Sequence, residues 1–258
     1  LTALLAIFVL INLYTTWSMT SIANELKTDT EEQQRAADIQ LITITDASCT
    51  DCFDISTTVE KIKSANVEVT SQETLDYSDE AAQALIEKYG IEKIPTVIVT
   101  GEIEKEGSQI SGLEKKENAL IFTDLQPIYL ETSSGDYRGR VQIQVITQEK
   151  CEECYDMNTF VQAVSSLISI SSEETIAAED ATDLIAKYEL TELPAVIFTG
   201  DLALYPETAS KLEALGSYVG EDLVLTAKLN PPYWDLATEE VIGLVSVTYL
   251  TDDSCEDC

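Results

Sequence analysis

Apolar and polar side chains alternate from Ile39 to Asp46, and most of the apolar ones are β-branched, which predicts a strand. Phe53, Ile55, Val59 and Ile62 then recur at helical spacing, so an amphipathic helix is predicted over Asp54–Ser64. Asn66–Thr70 reads as a short strand. Ser78–Tyr89 reads as a second helix, with Ser78 placed to cap its start and Gly90 just past its end. Thr96–Thr100 is a buried strand opened by Pro95 and closed by Gly101. Residues 113–124 are expected to hold a short helix and a strand. Gln126–Glu131 and Tyr137–Thr147 flank a hairpin-like turn at Ser133–Asp136. The order β–α–β–α–β places the folded part in the α/β class, with helices covering a mixed sheet.

A different pattern precedes it. Leu1–Asn24 carries no charge, and Leu1–Leu13 is almost purely aliphatic. We expect an N-terminal membrane helix here, with an interface near Tyr14–Trp17 where Tyr and Trp favour the headgroup level. A span needs about 20 apolar residues, so the expectation includes residues lost or processed away before Leu1. Glu25–Ile39 reads as a polar stalk, which makes residues 1–38 one helix-and-stalk segment. The alternative is a core helix at the amino end.

The remainder repeats. IQLITITDASCTDCFDI (39–55) matches VQIQVITQEKCEECYDM (141–157), and VSVTYLTDDSCEDC (245–258) begins a third copy. ALIEKYGIEKIPTVIVTGEI (84–103) matches DLIAKYELTELPAVIFTGDL (183–202), and LQPIYLETSSGDYRG (125–139) matches LNPPYWDLATEEVIG (229–243). Matched blocks in one order predict tandem domains over 39–140 and 141–244, with 245–258 the start of a third.

Composition narrows the functions. The 258 residues hold 47 acidic and 15 basic side chains, and no histidine. A formal charge of −32 repels a phosphate backbone, so no nucleic-acid partner is expected. It repels anionic lipid too, so any membrane contact must be the apolar one at the amino end. Without imidazole there is no His acid–base chemistry and no haem attachment through C-x-x-C-H. No cofactor and no resident metal is expected, a two-motif zinc site of four thiolates being the weakest reading of the cysteines.

Chemistry therefore rests on three C-x-x-C pairs: Cys49/Cys52, Cys151/Cys154 and Cys255/Cys258. Each follows a predicted strand and opens a predicted helix, the arrangement of a redox dithiol. At a helix N-terminus unpaired N–H groups would favour the thiolate of the first Cys. Pro95 and Pro194 follow 46 and 43 residues after Cys49 and Cys151, each just before an apolar strand. These features resemble the thioredoxin superfamily, over roughly 40–112 and 141–215. Tandem copies are similar to protein disulfide isomerases and two-domain disulfide oxidoreductases. The resemblance implies that Cys49, Cys151 and Cys255 attack a disulfide and that Cys52, Cys154 and Cys258 resolve it. It implies that Pro95 and Pro194 are cis-prolines, and that Ile94 and Leu193 present backbone to a bound protein whose thiols or disulfides are the partners.

The pairs depart from that family in reading SCTDC, KCEEC and SCEDC. Asp51, Glu152, Glu153, Glu256 and Asp257 put like charge beside a developing thiolate and oppose it; capping of a first helical turn is their plainer role. A permanent staple is the structural reading of the pairs, although a four-residue loop gives only about 1.9 kcal/mol of loop entropy. Tyr89/Tyr188 and Phe53/Tyr155 are expected in the core. Pro127, Tyr129, Pro231, Tyr233 and Trp234 are expected at an interdomain corner, and Glu31–Glu32 and Glu173–Glu174 on solvated faces.

Two functions follow. One is a membrane-anchored, extracytoplasmic thiol–disulfide oxidoreductase, since disulfides persist outside the cytosol. The other is a structural surface protein or pilin-like filament subunit, oligomerising through Leu1–Trp17, with permanent disulfides.

Overall fold

The computed structural model describes residues 17–19, 35–105, 107–226, 230–248 and 250. All but Trp17–Met19 of the expected membrane helix, the stalk before Arg35, and Cys255 and Cys258 lie outside them. Among the described residues no helix is long and apolar enough to cross a membrane. The chain divides into two compact units, Leu1–Asp136 and Tyr137–Cys258.

The first unit is built on β1 (Ala37–Thr45), α1 (Ser56–Lys63), β2 (Val67–Asp76), α2 (Glu80–Tyr89), β3 (Lys93–Ile94), β4 (Thr96–Gly101), β5 (Glu114–Lys116), β6 (Ala119–Ile121) and β7 (Tyr129–Glu131). Its sheet runs β2-β1-β4-β6-β5, with β1 and β2 parallel and the remaining neighbours antiparallel. This mixed α/β arrangement is the one the residue pattern predicts. The alternating apolar side chains of β1 bury Ile39 and Leu41 against Val59 and Ile62 of α1 and Val97 and Val99 of β4. Phe53 packs against that cluster, its ring 5.9 Å from that of Phe122.

Three local expectations change. β2 runs on to Asp76 because it stays in register with β1 to Thr45. A bulge at Thr70 frees the Ile39 carbonyl, which accepts from the Thr70 hydroxyl instead. Ser78 does not cap α2: its N–H and O–H go to Asp76, and Asp79 stands at the cap position. Gly90 does end the helix, in the left-handed region at φ 56°. Residues 113–124 hold no helix but the hairpin β5–β6, whose Leu120 and Ile121 pair with β4.

After β8 (Tyr137–Arg138), the second unit repeats the plan with β9 (Val141–Thr147), α3 (Met157–Ser165), β10 (Ile170–Ala177), α4 (Thr182–Lys187), β11 (Glu192–Leu193), β12 (Ala195–Gly200), α5 (Pro206–Glu213), β13 (Ser217–Val219), β14 (Asp222–Thr226), β15 (Tyr233–Asp235) and β16 (Glu240–Ile242). Its sheet order is β10-β9-β12-β14-β13. The bulge recurs at Ser171, whose hydroxyl donates to the Val141 carbonyl. One core gathers Val141, Ile143 and Val145 with Met157, Val161 and Val164 of α3 and Leu212 of α5. A second gathers Ile146, Cys151, Tyr188, Leu193, Ile197 and Trp234. The outer strands β2 and β10 expose Glu68, Glu73, Glu173 and Glu174 to solvent. Val245 and Val247, expected to start a third β1, are 86% and 84% exposed and lie in no strand. Among the described residues no neighbouring strand lies beside them as β2 and β4 lie beside β1.

An ion pair pins each first strand. Arg35 clasps Glu102 at 2.7 and 2.8 Å, and Glu102 also accepts from the Asp38 N–H. Arg138 clasps Asp201, which accepts from the Gly139 N–H at 2.8 Å. Burial pushes the Asp201 carboxyl up, but the hydrogen bonds from Arg138 and Gly139 outweigh it and hold it below its usual range. A depressed carboxyl stabilises the fold above its unfolded pKa, and this is lost as pH falls through the folded value. Denaturant titrations of the second unit should therefore show stability falling below about pH 4, with a shallower acid limb for Asp201→Asn.

Gly200, at φ +89°, closes β12 where a Cβ would stand 2.5 Å from the Arg140 carbonyl oxygen. Gly200→Ala should cost at least about 1 kcal/mol, read from the fluorescence of Trp234 on unfolding.

Candidate functional site

Both described C-x-x-C pairs are disulfides, with Cα atoms 5.4 Å apart at Cys49–Cys52 and 5.3 Å at Cys151–Cys154. The expected crown on a helix is not what forms. α1 begins at Ser56 and α3 at Met157, so each pair sits in a turn ahead of its helix. The Cys49 N–H bonds the Asp46 carbonyl and the Cys151 N–H the Gln148 carbonyl.

The helix is delayed for a visible reason. The N–H of the residue after each second Cys is drawn out of line, Phe53 to the Ile128 carbonyl at 2.8 Å and Tyr155 to the Pro232 carbonyl at 2.9 Å. Asp54 and Asp156 then take the N–H groups of Ser56 and Asn158, both at 2.9 Å, and start the helices. The first Cys therefore lies outside the helix N-terminal turn, where the macrodipole acts.

The carbonyls that capture Phe53 and Tyr155 belong to segments 127–131 and 231–235. These residues were expected at an interdomain corner; within each unit they form a strap. Tyr129 and Trp234 are buried in it. The strap continues into β7 and β15, which pair antiparallel with β3 and β11: Ile94 with Leu130, Leu193 with Trp234. Thr132 N–H bonds the Glu92 carbonyl and Leu236 N–H the Thr191 carbonyl. Antiparallel ladders alternate hydrogen-bonded and open pairs, so Ile94–Leu130 and Leu193–Trp234 are the next bonded pairs. The main chain of Ile94 and Leu193 thus faces the strap, and both side chains are fully buried.

The Ile94–Pro95 and Leu193–Pro194 bonds are cis, as are Pro127–Ile128 and Pro231–Pro232 in the straps. Pro194 lines a cleft of about 190 Å3 together with Cys151, Cys154, Thr147 and Asp156. In it the Cys154 sulfur lies 3.7 Å from the Leu193 carbonyl oxygen. The second disulfide is thus brought to its proline.

The two disulfides differ. Cys49 and Cys52 are both half-buried, and the Cys49 sulfur lies 3.5 Å from an Asp51 carboxylate oxygen. Cys151 is only 7% exposed and belongs to a core cluster, whereas Glu152 and Glu153 point to solvent. Sequence reasoning gave all three carboxylates one role and missed the strap as a site element. The repeat of Pro-x-Tyr in 127–129 and 231–233 was the signal available. Of the tyrosines expected in the core, Tyr89 and Tyr188 are each 5% exposed. Burial pushes the Tyr188 phenol up, and its O–H donates to Asp222 at 2.8 Å.

A sheet of order 2-1-4-6 around a parallel pair, with a C-x-x-C turn after the first strand and a cis-proline before the third long one, defines a thioredoxin-like fold. Residues 14–123 match the thioredoxin family model. The likeness to that family covers this stretch, and the second unit repeats the sheet order of the first. No curated protein matches the chain. Among solved structures, a mutant of the alkylhydroperoxide reductase protein AhpF from Enterococcus faecalis is 16% identical, over 70% of this chain and 90% of that one, at a TM-score of 0.21. The NTD_N/C domain of the same reductase is 17% identical, over 69% and 90%, also at 0.21.

Once the first disulfide is reduced, a carboxylate in contact with Cys49 opposes the thiolate by direct repulsion. Asp51→Asn should speed alkylation of reduced Cys49 at pH 7 by about tenfold. Glu152→Gln, with its carboxylate in solvent, should change Cys151 less. Rates of iodoacetamide labelling against pH, read by peptide mass spectrometry, measure both.

Proposed function

We propose that this chain is a thiol–disulfide exchange protein working outside the cytosol, tethered to a membrane by Leu1–Asn24. The observation that carries the reading is the cleft of the second unit, where a short disulfide and Pro194 share one wall and the Cys154 sulfur meets the Leu193 carbonyl. Paired half-cystines three residues apart can open and close without moving the fold around them. A thiolate attacks one sulfur, the other leaves as thiolate, and a second displacement releases the oxidised partner. The partners are thiols and disulfides of that compartment, on proteins included. The uncharged stretch at the amino end and the pairing of every described cysteine support the location.

One observation favours permanent bonds: Cys151 is buried in a hydrophobic core. The two readings part on a redox titration. Exchange predicts that the native chain equilibrates with thiol buffers at potentials above about −300 mV, whereas structural disulfides lie below that. If both pairs stay oxidised in such buffers until the chain is unfolded, the exchange reading fails.

A further inference from the structure

Resting on the exchange reading, the geometry points to the substrate class of the second disulfide: small thiols that are neutral or cationic, in preference to extended polypeptides. Three observations converge on it. First, a polypeptide is best held beside a disulfide by adding a strand to a free edge. Here the main chain of Leu193 is already bonded to Trp234, and Tyr155 N–H to the Pro232 carbonyl, so the chain's own strap fills that place. Second, the cleft holds about 190 Å3, below the roughly 300–1,000 Å3 that encloses a drug-sized ligand. It accepts a group the size of one short side chain. Third, the loop that carries the sulfurs sets Glu149, Glu152, Glu153 and Asp156 against Lys150 alone, all exposed. Like charge on an incoming thiol raises the cost of approach, and opposite charge lowers it.

The chemistry balances with the thiol as reductant. A thiolate RS⁻ attacks one sulfur of Cys151–Cys154 to give a mixed disulfide, and the other cysteine leaves as thiolate. A second RS⁻ attacks the R-bearing sulfur, releasing RSSR and the remaining cysteine thiolate. The two cysteine thiolates take up the two protons shed by 2 RSH, so the cystine gains the two electrons that the thiols lose.

The test uses the whole chain and needs no variant to begin with. Cysteamine (cationic), 2-mercaptoethanol (neutral), glutathione (anionic) and a linear decapeptide with one central cysteine and net charge +1 are compared at equal thiolate concentration and low salt. Each rate is divided by that thiol's rate with a neutral reference disulfide. Reduction of Cys151–Cys154 is followed by quenching, differential alkylation and peptide mass spectrometry. We expect cysteamine to exceed glutathione at least fivefold, with 2-mercaptoethanol between them and the decapeptide slower than cysteamine. In 1 M NaCl, where the Debye length is about 3 Å, and in Glu152→Gln/Glu153→Gln, the charge preference should shrink toward one. A decapeptide faster than cysteamine, or glutathione as fast as cysteamine, overturns the inference while leaving exchange intact. No reduction by any thiol in the native chain, with ready reduction after unfolding, overturns exchange itself and this inference with it.

Discussion

One main-chain hydrogen bond, made twice, organises this molecule: the amide of the residue after each second cysteine donates to a carbonyl of the strap. A buried amide needs a partner, and here it finds one across the groove rather than up a helix. The consequence runs in both directions along the chain. Toward the carboxyl side the helix must wait for Asp54 or Asp156 to start it. Toward the amino side the cysteines are left in a turn, joined to each other and free of the helix end. The same bond fastens the strap across the front of the pre-proline strand, so that one contact sets the position of sulfur, proline and strap together.

Around this shared frame the two units diverge electrostatically. In the first, a carboxylate touches sulfur. In the second, a half-cystine is built into a hydrophobic cluster with Tyr188, Leu193 and Trp234. The sequence difference is small, Thr-Asp against Glu-Glu between the cysteines, but a short Asp side chain can fold back onto its neighbour's sulfur, and both Glu side chains here extend into water. The two disulfides are thereby set apart by the residues between their cysteines and by a change of burial.

Much of this was readable in advance. The period-two alternation of 39–46, the helical spacing of Val59 and Ile62 and the apolar run before Gly101 located β1, α1 and β4, because burial on one or both faces leaves a direct trace in residue type. The repeat, the cysteine pairs and the prolines 46 and 43 residues downstream located the second cleft. What escaped depended on partners distant in sequence. The length of β2 follows from its register with β1, since Ser71–Thr74 is polar and carries no apolar alternation of its own. Ser78 looked like a cap only while Asp76 was not known to claim it. The strap hid because two or three paired residues leave almost no periodicity.

Among the described residues the outer strands β2 and β10 have no neighbouring strand on their far side. Such a rim invites a second molecule to zip onto it. Glu68 and Glu73 on one rim and Glu173 and Glu174 on the other place fixed negative charge along that invitation. Mutual repulsion between identical rims is long-ranged in dilute buffer and shrinks to about 3 Å in molar salt. The acidity of this chain thus doubles as a solubility device, and concentrated brine is the condition under which neighbouring copies would be freed to join edge to edge.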